Sequence, residues 1–420
     1  MSTTALIIFE DPGWRRFGPL TDLRPIWDLR VGLQTLGDRI STKLDVVPAA
    51  QIARSGLKDI IGEAKVGKIP ARGDVYLVNG RFAGEIITEG LSEDQPYTIW
   101  TDGTDVAAAK IPAKVARKWF TKPSFDPRDY SAQSLLSAWN AIDPVPTVQI
   151  IEAKGSLIWW PWDLLDKQEH AIQEQLASRG AVIDGDIHHK AILVEESTLY
   201  IEKGACVGAG AILDSSRGPI LLEEDVEIMP GAIVLGPVAL GSGTIVKAGA
   251  KLYGPVVAGP RCKLGGEIEG CCILGYSNKQ HEGFLGHALV GEWVNLGADT
   301  NNSDLKNNYS SVTVQIGGEP IDTERTFFGG IIGDHVKTAI NTQLNTGTII
   351  GVGSNLFGVG FPPKEIGAFR WGGAEGFEYY DYERFISTAK VVMERRDVKL
   401  SHAMIALLRK LHQEAVAGRL

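Results

Sequence analysis

Residues 201–212 read IEKGACVGAGAI, and residues 228–251 read IMPGAIVLGPVALGSGTIVKAGAK. Both divide into six-residue steps that open on an aliphatic residue and carry a small residue four places later: IEKGAC (201–206), VGAGAI (207–212), IMPGAI (228–233), LGSGTI (240–245) and VKAGAK (246–251). Related steps are VEESTL (194–199), LEEDVE (222–227), VGEWVN (290–295), LGADTN (296–301), IGDHVK (332–337) and IGVGSN (350–355). A period of six with one large aliphatic residue suits a triangular coil of three short strands. The aliphatic side chain fills the narrow prism, and glycine at the turns tolerates positive φ. One coil cannot bury its apolar face alone, so several must stack. The pattern therefore predicts a left-handed parallel β-helix. A Gly/Ala-rich sandwich would alternate with period two over longer stretches, and a linker would lack the regular aliphatics.

Working outward, residues 302–328 interrupt the steps with NSDLKNNYSS and a GGEP turn (317–320), which predicts an inserted loop or hairpin. The repeats also explain the glycine distribution: 33 of 49 glycines lie in residues 181–373, and only 14 in residues 1–180. At 420 residues the chain exceeds what one core of ~250–300 residues accommodates, so more than one domain is expected. Residues 1–155 alternate strand-like runs (ALIIF, DVYLVNG, VQIIEA) with helical ones, as in an α/β layered domain. Residues 156–182 read as a linker with a helix at 163–178, residues 183–375 as the β-helix, and residues 376–420 as a helical tail that caps its open end.

Forty-two Lys+Arg against 51 Asp+Glu give a net charge of −9, which argues against nucleic-acid binding. No signal peptide and no run of ~18 apolar residues is present, so a cytoplasmic protein without a membrane partner is expected. Cys206, Cys262, Cys271 and Cys272 lack CxxC spacing or paired histidines; they suit buried small side chains rather than a metal site. The aromatic patch Trp159, Trp160, Trp162 suits packing better than base stacking.

The densest polar stretch is NKQHEGFLGHALVGEWVNLGADTNNSDLKNNY (278–309). Polar groups between apolar hexads face ligand or solvent, or else form an amide ladder along the stacked coils. His281 is the side chain suited to accept a proton near neutral pH. The run from His281 to Thr300, followed by Asn308-Tyr309, resembles the acetyltransferase core of the bifunctional N-acetylglucosamine-1-phosphate uridylyltransferase / glucosamine-1-phosphate N-acetyltransferase family. The likeness is nearest to its divergent branch typified by Bacteroidetes. The resemblance implies His281 as the general base for the sugar amine, Glu267 as the acid that orients it, and Asn308 near the reacting acetyl group. It implies Phe284, Asn295 and Tyr309 at the sugar, and Ala298 at acetyl-CoA, with Lys364 and Arg370 meeting the coenzyme's phosphates. The family's phosphate-binding lysine falls at Glu269 here, so Lys247, Arg261 or Lys279 is left to hold the sugar phosphate. His287 lies on the hexad rhythm and is not expected to be catalytic.

Near the N-terminus, GWRRFGPLTDLRP (13–25) resembles the signature loop of sugar nucleotidyltransferases, with Arg16 and Pro19-Leu20-Thr21 at matching places. The phosphate-cradling glycines are reduced to Gly13, the lysine after proline is Ile26, and the strand expected to end in a magnesium-binding aspartate ends in Asn79-Gly80-Arg81. Three readings stand. Arg16, Arg24, Arg30 and Arg81 surround UTP and a sugar 1-phosphate, with Mg2+ as a possible helper. Alternatively the domain binds a sugar nucleotide without turning it over. Or the arginines are ion-pair partners of acidic neighbours. The resemblance further implies acetyl-CoA as co-substrate and a homotrimer, with a non-catalytic binding or regulatory homologue as the alternative.

Overall fold

The computed structural model describes residues 5–61, 69–84, 97–120, 131–142 and 147–419. The chain forms two compact units. The first comprises residues 1–17, 24–29 and 34–160; the second comprises 18–23, 30–33 and 161–420.

The first unit is an α/β layer. Its six-stranded sheet is mixed: Ala5–Phe9 lies parallel to Pro48–Ile52 and to Asp74–Asn79, and Asp74–Asn79 is antiparallel to Asp105–Pro112. Thr98–Asp102 and Gln149–Glu152 complete it. Ala5–Phe9 is buried along its whole length, as a central strand covered on both faces must be. The parallel strands Ala5–Phe9 and Asp74–Asn79 deliver Glu10, Asp11, Gly80 and Arg81 together at their C-terminal ends, where α/β sheets place ligands.

The second unit is the parallel β-helix that the hexads predict. Two faces carry six strands each and the third carries ten. Ile228 pairs with Val246, and Val246 with Leu264, so these coils step by 18 residues, three hexads per turn. Ile201, Val207, Leu222, Ile228, Leu240 and Val246, which open their hexads, all point inward and are buried. Val194 does not follow. The inward residues there are Ile187, Leu193 and Leu199, six apart, so Val194 is one place out of the frame, faces outward beside Asp214 and is exposed. Cys206 also faces out, whereas Cys262, Cys271 and Cys272 are buried. The interruption is a hairpin, Thr313–Ile316 against Glu319–Asp322, turned by Gly317 and Gly318 at positive φ.

The helix Asp163–Arg179 shields the ten-stranded face, so its outward Leu221, Val257, Cys272 and Leu289 are as buried as the core. Two buried glutamines of this helix complete the backbone of residues 30–33. Gly32 and Leu33 amides donate to Gln168 and Gln175, and both side chains donate back to Arg30 and Val31 carbonyls. The tail forms a hairpin (Arg370–Gly373 with Gly376–Tyr379) and two helices, Tyr382–Glu394 and His402–Val416. It does more than cap an end. The first helix packs Phe385 on Phe369 and His335, and Arg396, two residues past its end, reaches Asn278 on a much earlier coil.

Candidate active sites

In the β-helix, His281 sits at a corner between two strands, exposed, with its imidazole making no hydrogen bond among the described residues. Its backbone is fixed from below and above. Beneath it Gly265 and Gly266 make the tight turn; Gly266 has φ +70°, and a Cβ there would meet Gly283 and His281 carbonyl oxygens at 2.7 and 2.8 Å. Above it, Asp299 donates to the Glu282 carbonyl at 3.0 Å, which brings Ala298 to the same corner. From inside, Lys279 holds the turn. It occupies an inward register position beside Leu264, is 2% exposed, and donates to the carbonyls of Gly265 (3.1 Å), His281 (2.6 Å) and Glu282 (3.2 Å). Burial pushes its ammonium down to about 8, against the opposing pull of Glu282 and Asp299. Lys279 is thus part of the core and not a clamp for an outside phosphate.

Glu267 and Phe284 are register partners on neighbouring strands, so they share one outer face near that corner. Among the described residues no hydrogen bond or ion pair joins Glu267 to His281, which corrects the expectation of a preformed acid–histidine pair. Within the β-helix a carboxylate partner goes instead to His287, whose Nδ1 lies 2.8 Å from Oδ2 of Asp304 and whose ring lies beside Phe327.

The amide-rich run divides in two. Asn301 and Asn302 serve the fold. The Phe284 amide donates to Asn301 Oδ1, while Asn302 accepts from the Gly286 amide and donates to its carbonyl, each at 2.7–2.8 Å. These side chains stand in for a missing strand ladder. Asn295 faces outward on a different face and accepts from Asn278 Nδ2 at 3.2 Å. Asn308 is turned back on its own loop, accepting from the Ser310 amide and hydroxyl, and Tyr309 beside it is 70% exposed. Lys364 donates to Thr346 Oγ1 at 3.3 Å, and the Arg370 guanidinium stacks over Tyr379 at 4.0 Å.

In the first unit the strand ends form a closed ion-pair network. Arg81 is fully buried. Its Nε donates to Asp11 Oδ1 (2.9 Å), its Nη2 to Asp11 Oδ2 and Asp105 Oδ2 (2.5 Å each), and its Nη1 to the Ile158 carbonyl (3.0 Å). Although burial opposes its charge, Asp11 and Asp105 hold Arg81 above the usual arginine range. Asp11 also accepts from Gly13 N and Asn79 Nδ2. Glu10 is raised by burial despite Arg54, whose Nη1 lies 2.7 Å from its carboxylate. Arg16 pairs with Asp105 at 3.3 Å and lies over the rings of Trp159 and Trp160. Burial, then the charge of Arg81, lowers it.

This geometry corrects two expectations. Arg81 has every guanidinium nitrogen engaged, so it meets no phosphate unless Asp11 and Asp105 release it. Arg30 is in the second unit, where its Nε and Nη1 donate to the Leu274 and Leu33 carbonyls, so these two nitrogens are not left for a phosphate. Arg24 is buried in the first unit. Nor does this edge fit Mg2+: each Asp11 oxygen already accepts two donors, and the described residues hold no group of three potential metal ligands. The sequence reading missed Lys279 as a core residue, the His287–Asp304 pair, and Lys263 with Arg396, described below. For Lys279 a signal existed, since it falls where the hexad places an aliphatic side chain.

Comparisons with known proteins give a family match and several relatives. Residues 6–180 match the model of the sugar nucleotidyl transferase family. A bifunctional sugar-1-phosphate nucleotidylyltransferase/acetyltransferase of Sulfurisphaera tokodaii is 29% identical over 153 residues, 36% of this chain and 38% of that one. The bifunctional protein GlmU of Methanococcus aeolicus is 30% identical over 196 residues, 46% of this chain and 41% of its own. The GlmU of Acidithiobacillus ferrooxidans is 28% identical over 154 residues, 36% and 30% respectively. The chain thus spans less than half the length of each of these relatives. Through its family-matched residues 6–180 and these relatives, the chain is similar to GlmU-type nucleotidylyltransferase/acetyltransferases.

Proposed function

We propose that the chain is an enzyme of sugar-nucleotide biosynthesis that acetylates the amine of glucosamine 1-phosphate from acetyl-CoA on its β-helix. The first unit then joins the product to UTP, giving UDP-N-acetylglucosamine. The observation that carries the first reaction is the exposed His281 imidazole on a corner anchored by Lys279 and flanked by Phe284 and Ala298. A glucosamine amine is largely protonated at neutral pH, so a base held at this corner to accept its proton assists attack on the thioester. The amine nitrogen bonds to the acetyl carbon, its proton passes to His281, and the coenzyme A thiolate leaves. The outward amides Asn295 and Asn278 are donors suited to an oxyanion or sugar hydroxyl. Homotrimeric assembly and a cytoplasmic location belong to the same proposal. No helix among the described residues is long and apolar enough to cross a membrane.

The test is release of free thiol from acetyl-CoA with glucosamine 1-phosphate. His281→Ala is expected to lower kcat at least 100-fold with the fold intact, the usual scale for a lost general base. Undiminished turnover overturns the assignment. One observation favours a second base: His287 already has its carboxylate, Asp304. In that reading His287→Ala, and not His281→Ala, removes the acidic limb of the pH–rate profile.

For the first unit, the closed Arg81–Asp11–Asp105 network favours the variant in which it binds a sugar nucleotide without turnover. Exchange of labelled diphosphate into UTP with N-acetylglucosamine 1-phosphate decides between them. Exchange supports uridylyl transfer, binding without exchange supports the variant, and neither result overturns both.

A further inference from the structure

One outer face of the β-helix gathers positive charge from segments far apart in sequence. Lys263 lies on it in register between Ile245 on one neighbouring strand and Asn278 on the other. Lys247 follows the strand Ile245–Val246 on the same side. Arg395 and Arg396 arrive from the C-terminal end of helix Tyr382–Glu394. The Arg396 guanidinium is fixed by neutral acceptors only: Nη2 donates to Asn278 Oδ1 at 2.7 Å and Nη1 to the Arg261 carbonyl at 3.0 Å. Arg261 returns the contact, donating to the Arg396 carbonyl at 2.6 Å.

Carboxylates do not balance this group. Asp397, 91% exposed, lies 3.6 Å from Arg261. Among the described residues, the side chains of Lys247, Lys263 and Arg395 have no ion-pair or hydrogen-bond partner. The consequence shows in the groups themselves. Lys263 is lowered by burial and then by Arg396, Lys247 and Arg395; Arg396 is lowered by burial and by Arg261 and Arg395. Like charges held this close without local carboxylate partners favour a bound anion. Asn278, which orients Arg396, also bonds Asn295, and this neutral amide pair beside the cluster suits sugar or amide oxygens.

We propose that Lys263 and Arg396, with Lys247 and Arg395 around them, form a binding site for the phosphate group of a small organic phosphate, beside the Asn278–Asn295 amides. The site lies apart from the outer face of Glu267, Glu269 and Phe284, whose acids repel a phosphate. Two sources carry the chemistry, an amino-sugar 1-phosphate and the phosphates of coenzyme A. The proposal rests on the acetyltransferase reading only for these two candidates; the cationic site itself does not depend on turnover.

Titration calorimetry on the full chain, at constant ionic strength, tests it with inorganic phosphate, glucosamine 1-phosphate and coenzyme A as separate probes. Lys263→Gln, whose amine holds nothing else in place, is expected to weaken at least one organic phosphate about tenfold, the scale of one lost charged hydrogen bond. Arg396→Gln is expected to do at least as much. Lys203→Gln, an exposed lysine on an early coil, controls for net charge and is expected to change nothing. Loss confined to glucosamine 1-phosphate assigns the sugar phosphate, and loss confined to coenzyme A assigns the coenzyme. Equal affinity of all three probes for native chain and both cluster variants, with unchanged thermal unfolding, overturns the site. Binding lost in Lys263→Gln by a chain that transfers no acetyl group leaves this site standing and removes the proposed activity.

Discussion

Lys279 is the residue at which sequence and structure differ most usefully. In the hexad rhythm it occupies an inward place, where its neighbours in register are Leu264 and the strand carrying Leu296. A lysine tolerates that place because three carbonyls of the 265–282 corner accept from it. Lys279→Met is expected to leave those oxygens unsatisfied, costing about 1–3 kcal/mol and loosening the corner of His281. Equilibrium urea unfolding reads the first effect; a fall in kcat with unchanged KM reads the second. Its proton also gives the protein a pH signature. Lys279 and Lys337 are pushed by burial from 10.5 to about 8, so between these values the unfolded chain binds more protons, and stability from these groups rises with pH. Cys262, Cys271 and Cys272 act oppositely. Burial pushes each thiol from 9.0 to about 12, so their stabilisation is complete below pH 9 and is lost between 9 and 12. The urea midpoint is expected to climb from pH 8 to 9 and to turn downward above it. A midpoint as steep between 8 and 9 in Lys279→Met as in the native chain contradicts the assignment to Lys279.

At the scale of elements, the β-helix continues past an interruption that its own strands do not bridge. After Phe284–Gly286 the next strand on that face is only Asn301–Asn302, and their side chains supply the hydrogen bonds that a strand backbone otherwise gives. Asn302→Ala is expected to leave both polar groups of Gly286 unpaired and to cost about 2–3 kcal/mol, measurable by thermal unfolding. A loss below about 0.5 kcal/mol, typical of a surface substitution, assigns the amide to solvent. The corner beneath His281 makes a matching demand. Gly266→Ala places a methyl against two backbone oxygens at positive φ, so destabilisation of about 1–2 kcal/mol or more is expected. The amide run was legible as either ligand contacts or a structural ladder. Only neighbouring coils separate the two, because Asn301 and Asn302 meet backbone while Asn295 meets another side chain on an outer face.

At the scale of the whole molecule, the two units rest on separate cores, one built on the α/β sheet and one inside the β-helix. Arg81 belongs to the first. Replacing it with Met leaves Asp11 and Asp105 buried or half-buried without their cation, a loss of about 3–5 kcal/mol by analogy with broken buried ion pairs. The expected result is early melting of the first unit in calorimetry while acetyl transfer persists. Simultaneous loss of both makes the units one cooperative body. The sequence by itself determined the β-helix, because a period of six with inward aliphatics has one economical packing. It determined the α/β half and a helix near 163–178 for similar local reasons, and left residues 302–328 as a loop or a hairpin. Only tertiary structure decided the sites. Whether Arg81 meets a phosphate depends on Asp11, 70 positions away, and whether Lys263 stands in a cationic face depends on Arg396, delivered by a helix 133 residues later. Hydrophobic periodicity is a local property of the chain, whereas charge compensation is settled by whichever distant groups the fold brings within a few ångströms.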